Sequence, residues 1–357
     1  MAVPALPYAP GKPRRYRPAI GLIGCGGITG QHLAAYRQQG FRVVALCDVD
    51  AAAAERRRAE FCPRAEVYTD HRRLLERGDV DVVDIATHPA VRVGQIRDAL
   101  RAGKHVLSQK PFVLDLATGE ALVALARRRG VRLAVNQNGR WAPYVSYARQ
   151  AIRRGLLGDV ASVDMTLAWD HTWIRGKAFE RIEHVILYDF AIHWFDMVAC
   201  FFGGRVPRSV FAGVARVPGQ EIAPPMSAHA AVRFDDGLAT LAFHGHTRFG
   251  DGERMTITGT RGSYWARGPI CAAHEVRLCA DRGWCEPRLK GHWFPEGMAG
   301  AMGELLIAIE EGREPENSGE SNLRSLALCF AALQSARTGR PVVPGRARKA
   351  GPGCVPV

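Results

Sequence analysis

Two groups of residues in this sequence are spaced for chemistry. The first is Gly24-Cys25-Gly26-Gly27-Ile28-Thr29-Gly30, lying between the apolar run 19–23 and a helix-like stretch from Gly27 to about Gln39. Glycines let the backbone turn tightly and approach a pyrophosphate, and the N-terminus of the following helix supplies N–H donors. Asp48 ends the next apolar run, 43–47, and stands 22 residues after Gly26. A carboxylate there accepts hydrogen bonds from ribose hydroxyls and repels a 2′-phosphate. Together they point to a dinucleotide, with NAD favoured over NADP. Arg56, Arg57 and Arg58 on the following helix could hold a 2′-phosphate, or form a solvated face.

The second group is Lys110, Asp189 and His193. Asp189 and His193 are four apart in a stretch, 187–202, that reads as one amphipathic helix, so both face the same way. An imidazole takes a proton near neutral pH, and a neighbouring carboxylate orients it. Lys110 follows the strand-like segment 105–108, at the carboxyl end of a predicted parallel strand, where ligands bind in such sheets. Pro111 stiffens the turn that presents it. A base, an orienting carboxylate and a cation suit removal of a hydroxyl proton with polarisation of the oxygen. Taken alone, His193 reads more readily as a core histidine and Lys110 as a surface lysine.

The elements that must position these residues alternate in the first third of the chain. Strand-like segments at 19–23, 43–47, 80–86, 105–108 and 131–135 alternate with helical stretches at 27–39, 51–60, 92–102 and 116–129. Largely apolar strands separated by helices predict a parallel sheet covered on both faces. After about Arg140 the rhythm changes. A helix at 144–154 is followed by strands at 161–169, 209–217, 229–234, 238–246 and 255–258, with the long helix among them and a last helix at 321–338. The fold class expected is α/β: an N-terminal Rossmann domain (18–140) and a C-terminal α+β domain (141–345) with a large open, mostly antiparallel sheet. A flexible extension (1–17) and a flexible tail (346–357) flank them.

Composition narrows the function. With 47% hydrophobic and 23% charged residues, the chain of 357 is an ordinary globular one, long enough for two domains. No run reaches the length of a membrane-spanning helix, and the Pro-rich start lacks the apolar core of a signal peptide. The net charge of +13 is concentrated at the ends. Lys12, Arg14, Arg15, Arg17, Arg340, Arg346, Arg348 and Lys349 supply +8, leaving +5 for the body. Excess charge on Pro/Gly-rich ends is not a folded basic stripe, so no nucleic-acid partner and no membrane are expected. Nine scattered cysteines without a C-x-x-C pair read as reduced thiols of a cytoplasmic protein. No metal is expected, since Cys279/Cys285 and His244/His246 lack further ligands.

Gly24–Ile28, Asp48, 102–106 (AGKHV), Lys110-Pro111, 188–196 with its D-x-x-x-H spacing, and the closing 335–342 together resemble the Gfo/Idh/MocA (glucose–fructose oxidoreductase/inositol dehydrogenase) family. The resemblance spans roughly 18–344 and implies an NAD-dependent oxidoreductase acting on a secondary hydroxyl of a sugar, glycoside or cyclitol, for instance giving a 3-keto-glycoside. It implies Lys110, Asp189 and His193 as catalytic residues. Cofactor contacts are implied at Gly24, Gly26, Gly27, Ile28, Asp48, Thr87, His88, Pro89, Gln109, Lys110 and Asn138. Substrate contacts are expected at Lys110, Arg140, Trp141, Trp169, His171, Trp173, Asp189 and His193, where indole faces would stack on a sugar ring. A homodimer or homotetramer through the open sheet is implied as well. Two other activities belong to the same broad family: a glycosidase that oxidises its substrate transiently on NAD and then eliminates, and a non-catalytic sugar or NAD sensor. One departure stands out: the family's usual Glu-Lys-Pro is Gln109-Lys110-Pro111 here.

Overall fold

The computed structural model describes residues 2–281, 283–351 and 353–354. In chain order the first elements are β1 (Ala19–Ile23), α1 (Thr29–Gln39), β2 (Arg42–Cys47), α2 (Ala51–Phe61), β3 (Glu66–Tyr68), α3 (His71–Leu75), β4 (Val80–Ile85), α4 (Pro89–Arg101), β5 (His105–Ser108), α5 (Leu116–Arg129) and β6 (Leu133–Val135). Then come α6 (Pro143–Arg153), β7 (Val160–Ala168), a π-helical turn (Ile186–Phe190), α7 (Ile192–Phe201), β8 (Ser209–Ala215), β9 (Ser227–Arg233) and β10 (Leu238–His244). The last are β11 (Gly252–Gly259), β12 (Ser263–Gly268), β13 (Glu275–Ala280), β14 (Gly283–Cys285), α8 (Glu296–Glu310) and α9 (Gly319–Thr338).

The chain divides into two compact units. One comprises 9–141 and 294–323; the other comprises 1–8, 142–293 and 324–357. The sequence reading placed 294–323 in the second domain, and the structure moves it to the first. The reason is apolar: Met298, Met302 and Leu305 of α8 share one core with Leu33 and Tyr36 of α1 and Leu22 of β1. Helix α8 closes one face of the sheet, so the Rossmann unit is completed by residues far along the chain.

The first unit is built on a six-stranded sheet in the order β3-β2-β1-β4-β5-β6. Its strand pairs are parallel. Ile20, Leu22, Val82, Leu107 and Ala134 are fully buried or nearly so, as strands covered on both faces must be. The order reverses between β1 and β4, which opens a crevice at the carboxyl ends of those strands. Ladder bonds continue past the strand ends: Gly24 N–H donates to Cys47 O at 2.8 Å, Ala86 N–H to Ile23 O at 2.8 Å, and Gln109 N–H to Ile85 O at 2.9 Å. These bonds fix the loops that carry Gly24, Thr87 and Lys110.

The second unit holds an eight-stranded sheet in the order β14-β13-β12-β11-β7-β10-β9-β8. Its strands are antiparallel except that β10 runs parallel to β7. Val163, Met165 and Leu167 of β7 are buried, whereas the alternate residue Asp164 is exposed, so one face is covered and the other open.

Described residues of both ends bond to the units they flank. Arg14, Arg15 and Tyr16 donate their backbone N–H groups to the Glu310 carboxylate at 2.8, 2.6 and 2.8 Å. Those bonds hold the Glu310 carboxyl below the usual carboxylate range. In the other unit Tyr147 OH donates to Pro4 O at 3.0 Å. At the far end Glu183 N–H donates to Gly353 O at 2.9 Å and Arg337 reaches Ala350 O at 3.1 Å. Residues 355–357 of the tail lie outside the described residues.

Candidate active site

The glycine loop leaves β1 through Gly24, whose φ of +93° is left-handed and whose added Cβ would lie 2.9 Å from Ala86 C. Only glycine fits there. A Cβ at Gly26 or Gly27 would meet nothing within 4 Å, so the backbone at these two positions faces open space. Gly26, Gly27 and Ile28 are exposed, and their N–H groups precede the helical ladder of α1. N–H groups so placed suit a pyrophosphate. Asp48 braces the loop: its Oδ2 accepts Cys25 N–H at 2.7 Å and its Oδ1 accepts Asp50 N–H at 2.9 Å. Burial, then the Asp48 charge, pushes the Cys25 thiol up to about 12, so it stays protonated at neutral pH. Arg57 donates to Gly26 O at 3.0 Å and Gly27 O at 3.2 Å, while pairing with Glu60 at 3.0 Å. The structure therefore gives Arg57 a place on the loop, which goes beyond a solvated face. The residues present fit a dinucleotide without a 2′-phosphate.

Thr87 follows β4, and His88 and Pro89 open α4, His88 being exposed. Lys110 follows β5 and is half-buried. All stand at the same edge of the sheet as the glycine loop and Asp48. The Gln109 side chain is engaged within this unit. Its Oε1 accepts Lys110 N–H at 2.8 Å, and its Nε2 lies 3.3 Å from His32 Nε2. His32 is fully buried on α1 and was not flagged by the sequence. Its Nδ1 meets Asp84 Oδ2 at 2.7 Å, and Tyr36 OH donates to the same oxygen at 2.6 Å. Asn136 Nδ2 also approaches His32 Nε2, at 3.1 Å. With amide donors facing Nε2 and a carboxylate facing Nδ1, His32 carries its proton on Nδ1 and accepts through Nε2.

That geometry makes a prediction. Gln109→Glu places a carboxylate acceptor opposite an acceptor nitrogen. The variant should lose about 1–3 kcal/mol of stability. Thermal melts check this, and an unchanged melting temperature would remove His32 from the account.

Three expected contacts in this unit are buried in packing. Arg140 is 3% exposed, and its guanidinium donates to Glu316 O at 2.5 Å and Ser321 Oγ at 3.1 Å. Trp141 covers α8: a Cβ on Gly300 would lie 2.1 Å from its Cγ. These two residues tie 294–323 to the sheet. Asn138 Nδ2 points to Asn136 O at 3.4 Å and Met298 Sδ at 3.5 Å.

In the second unit the predicted single helix over 187–202 is broken. Asp189 sits in the π-helical turn, where Ala191 N–H donates to Ile186 O at 2.8 Å, and His193 sits on α7. Both are half-buried. Helix α7 is anchored just after His193: Trp194 Nε1 donates to Glu253 Oε1 at 2.9 Å and Asp196 accepts from Ser325 at 2.6 Å. Glu253, 1% exposed, also takes Tyr144 OH at 2.8 Å, and nothing in its sequence surroundings signals this role.

Aromatic rings gather around these residues. Phe190 is stacked between Trp169 at 4.0 Å and Trp194 at 4.6 Å, and the His193 ring meets Trp293 edge-on at 5.4 Å. Trp169 Nε1 and Trp173 Nε1 both donate to His171 Nδ1, at 2.8 and 3.1 Å. His171 therefore holds its proton on Nε2. Trp169 is 9% exposed and forms the inner layer, whereas Trp173 is 49% exposed with Lys177 Nζ 4.7 Å from its ring centroid. Of the expected stacking residues, Trp173 presents an open face.

Comparison with known proteins agrees with this geometry. Residues 19–137 match the Gfo/Idh/MocA oxidoreductase family with its NAD-binding Rossmann fold, and residues 145–265 match the C-terminal domain of the same family. A D-apiose dehydrogenase of Paraburkholderia graminis is 29% identical, over 90% of this chain and 88% of the relative. An inositol 2-dehydrogenase of Rhizobium meliloti is 27% identical, over 90% of this chain and 98% of the relative. An Agrobacterium radiobacter oxidoreductase, solved with NAD+, L-tartaric acid and magnesium, superimposes with a TM-score of 0.82 at 23% identity, covering 93% of this chain and 99% of that one.

Proposed function

Because this chain belongs to the Gfo/Idh/MocA oxidoreductase family, whose NAD-binding Rossmann domain it carries, we propose that it oxidises a secondary hydroxyl of a sugar, glycoside or cyclitol. The observation that carries the reading is the placement of Lys110 at the same carboxyl edge of the parallel sheet as the glycine loop and Asp48. NAD, when bound, supplies the acceptor for the hydride. Gly26, Gly27 and Ile28 hold its pyrophosphate by backbone N–H groups, and Asp48 takes the ribose hydroxyls and repels a 2′-phosphate. Lys110 polarises the substrate oxygen through its ammonium. His193 removes the hydroxyl proton, and Asp189 orients it from the π-helical turn. Trp173 offers an apolar face to the C–H side of a ring. The curated relatives named above support a polyol substrate by their names.

The test is a panel of sugars, glycosides and inositols assayed for NADH formation at alkaline pH. NADH accumulating in solution supports net oxidation; glycoside cleavage without NADH marks a transient-oxidation glycosidase and sinks this reading. In the same assay kcat/KM with NAD should exceed that with NADP at least about tenfold, roughly 1.4 kcal/mol. Equal use of NADP would turn Arg57, which already reaches the loop, into the phosphate clamp.

The open sheet face presents Phe211, Leu238 and Trp284, 41–51% exposed, on one side of the sheet. We propose that copies of the chain pair through it. Light scattering should find a dimer or tetramer, and a charged residue at Phe211 should shift it toward monomer.

A further inference from the structure

We propose that Arg92 is the positioning residue that fixes Lys110, a role that rests on the dehydrogenase reading above. Arg92 lies in the first turns of α4 and is 2% exposed. Its guanidinium spans two loops. Nε donates to Thr87 O at 2.9 Å, and Nη2 reaches the same carbonyl. Nη1 donates to Pro111 O at 2.5 Å and also to Gln109 O. Gln109 and Pro111 are the two neighbours of Lys110, so one nitrogen holds the backbone on both sides of the lysine. The same side chain ties that turn to the loop after β4.

A buried guanidinium has lost its water and is tolerated only where acceptors replace it. An apolar side chain of similar volume would fill the space without that requirement. What arginine adds is a planar fork that bridges two loops at fixed separation, which the single ammonium of lysine cannot reproduce. The turn is held from its other side too. Gln109 Oε1 takes Lys110 N–H at 2.8 Å, and Gln109 Nε2 leans on His32, itself held by Asp84 at 2.7 Å. Lys110 has a long, flexible stem, so the direction of its Cα–Cβ bond is what the fold can control. A displacement of about 1 Å in such a group costs on the order of 10²-fold in rate.

The experiment is Arg92→Lys, with Arg92→Gln beside it, in the full-length protein. Arg92→Lys keeps a charge but loses the fork. Its kcat should fall about ten- to a hundredfold. The dissociation constant for NAD should stay within about threefold, and the isotope effect on kcat, with substrate deuterated at the oxidised carbon, should rise. Hydrogen–deuterium exchange of residues 105–115 reads the turn without any substrate and should quicken there while 19–47 stays unchanged. Wild-type kcat with unchanged exchange overturns the proposal. So does failure of both variants to fold, since that would make Arg92 a core residue alone. A wild-type protein that forms no NADH with any polyol ends the dehydrogenase reading. The exchange measurement then still decides whether Arg92 holds the turn.

Discussion

Replacing His193 with alanine should lower turnover by about 10²–10⁴-fold, the range a positioned general base contributes. The assignment rests on where the ring is held. His193 is on α7, half-buried, with its ring edge-on to Trp293 at 5.4 Å. The helix is held in place, because Trp194 and Asp196 just after His193 are bonded to Glu253 and Ser325. Truncation therefore removes the proton acceptor and little else. NAD binding, followed by titration, should barely change, because His193 belongs to the unit that lacks the glycine loop. His193→Gln keeps volume and hydrogen bonding without basicity and should be as slow as the alanine variant. Full activity in either would move the base elsewhere, with Lys110 the first candidate.

Much of this layout is legible in the sequence, for a physical reason. Strands buried on both faces must be largely apolar, so β1, β2, β4 and β5 announce themselves, and the glycines and Asp48 fall at their ends. Short elements do not: β3 has three residues and α3 five, too few for a period to show. Helix α8 escapes for another reason. Its Gly300 and Gly303 are poor helix formers, yet each is where another group comes close. A Cβ there would lie 2.1 Å from Trp141 Cγ or 2.2 Å from Gly11 O. The π-helical turn also escapes, since hydrophobic spacing cannot reveal one extra residue in a turn. Arg92, His32 and Asp84 leave no local trace at all. Arg92 bonds to backbone carbonyls, which any sequence offers, and His32 meets Asp84 across 52 positions. A basic residue on a helix reads as solvated by default, and burial makes the difference here.

Lys110→Met should lower kcat by about 10²–10³-fold, the loss typical when one preorganised electrostatic group is removed from a developing oxyanion. Methionine keeps the length and apolar stem, and the turn should persist, because it is held through backbone: Gln109 Oε1 on Lys110 N–H at 2.8 Å and Arg92 Nη1 on Pro111 O at 2.5 Å. The fold, the melting temperature and NAD affinity should therefore be close to those of the parent protein. KM for the alcohol should rise less than kcat falls, since the ammonium interacts with the ground-state hydroxyl more weakly than with an oxygen gaining negative charge. Lys110→Arg separates charge from placement. It keeps a permanent cation but spreads it over a wider, planar group, so it should recover only part of the loss. Recovery to parental turnover would show that any cation suffices and would weaken the case for a held lysine. Parental turnover in Lys110→Met itself would remove Lys110 from the chemistry. The polarising charge would then have to come from another cation at the carboxyl edge of the sheet.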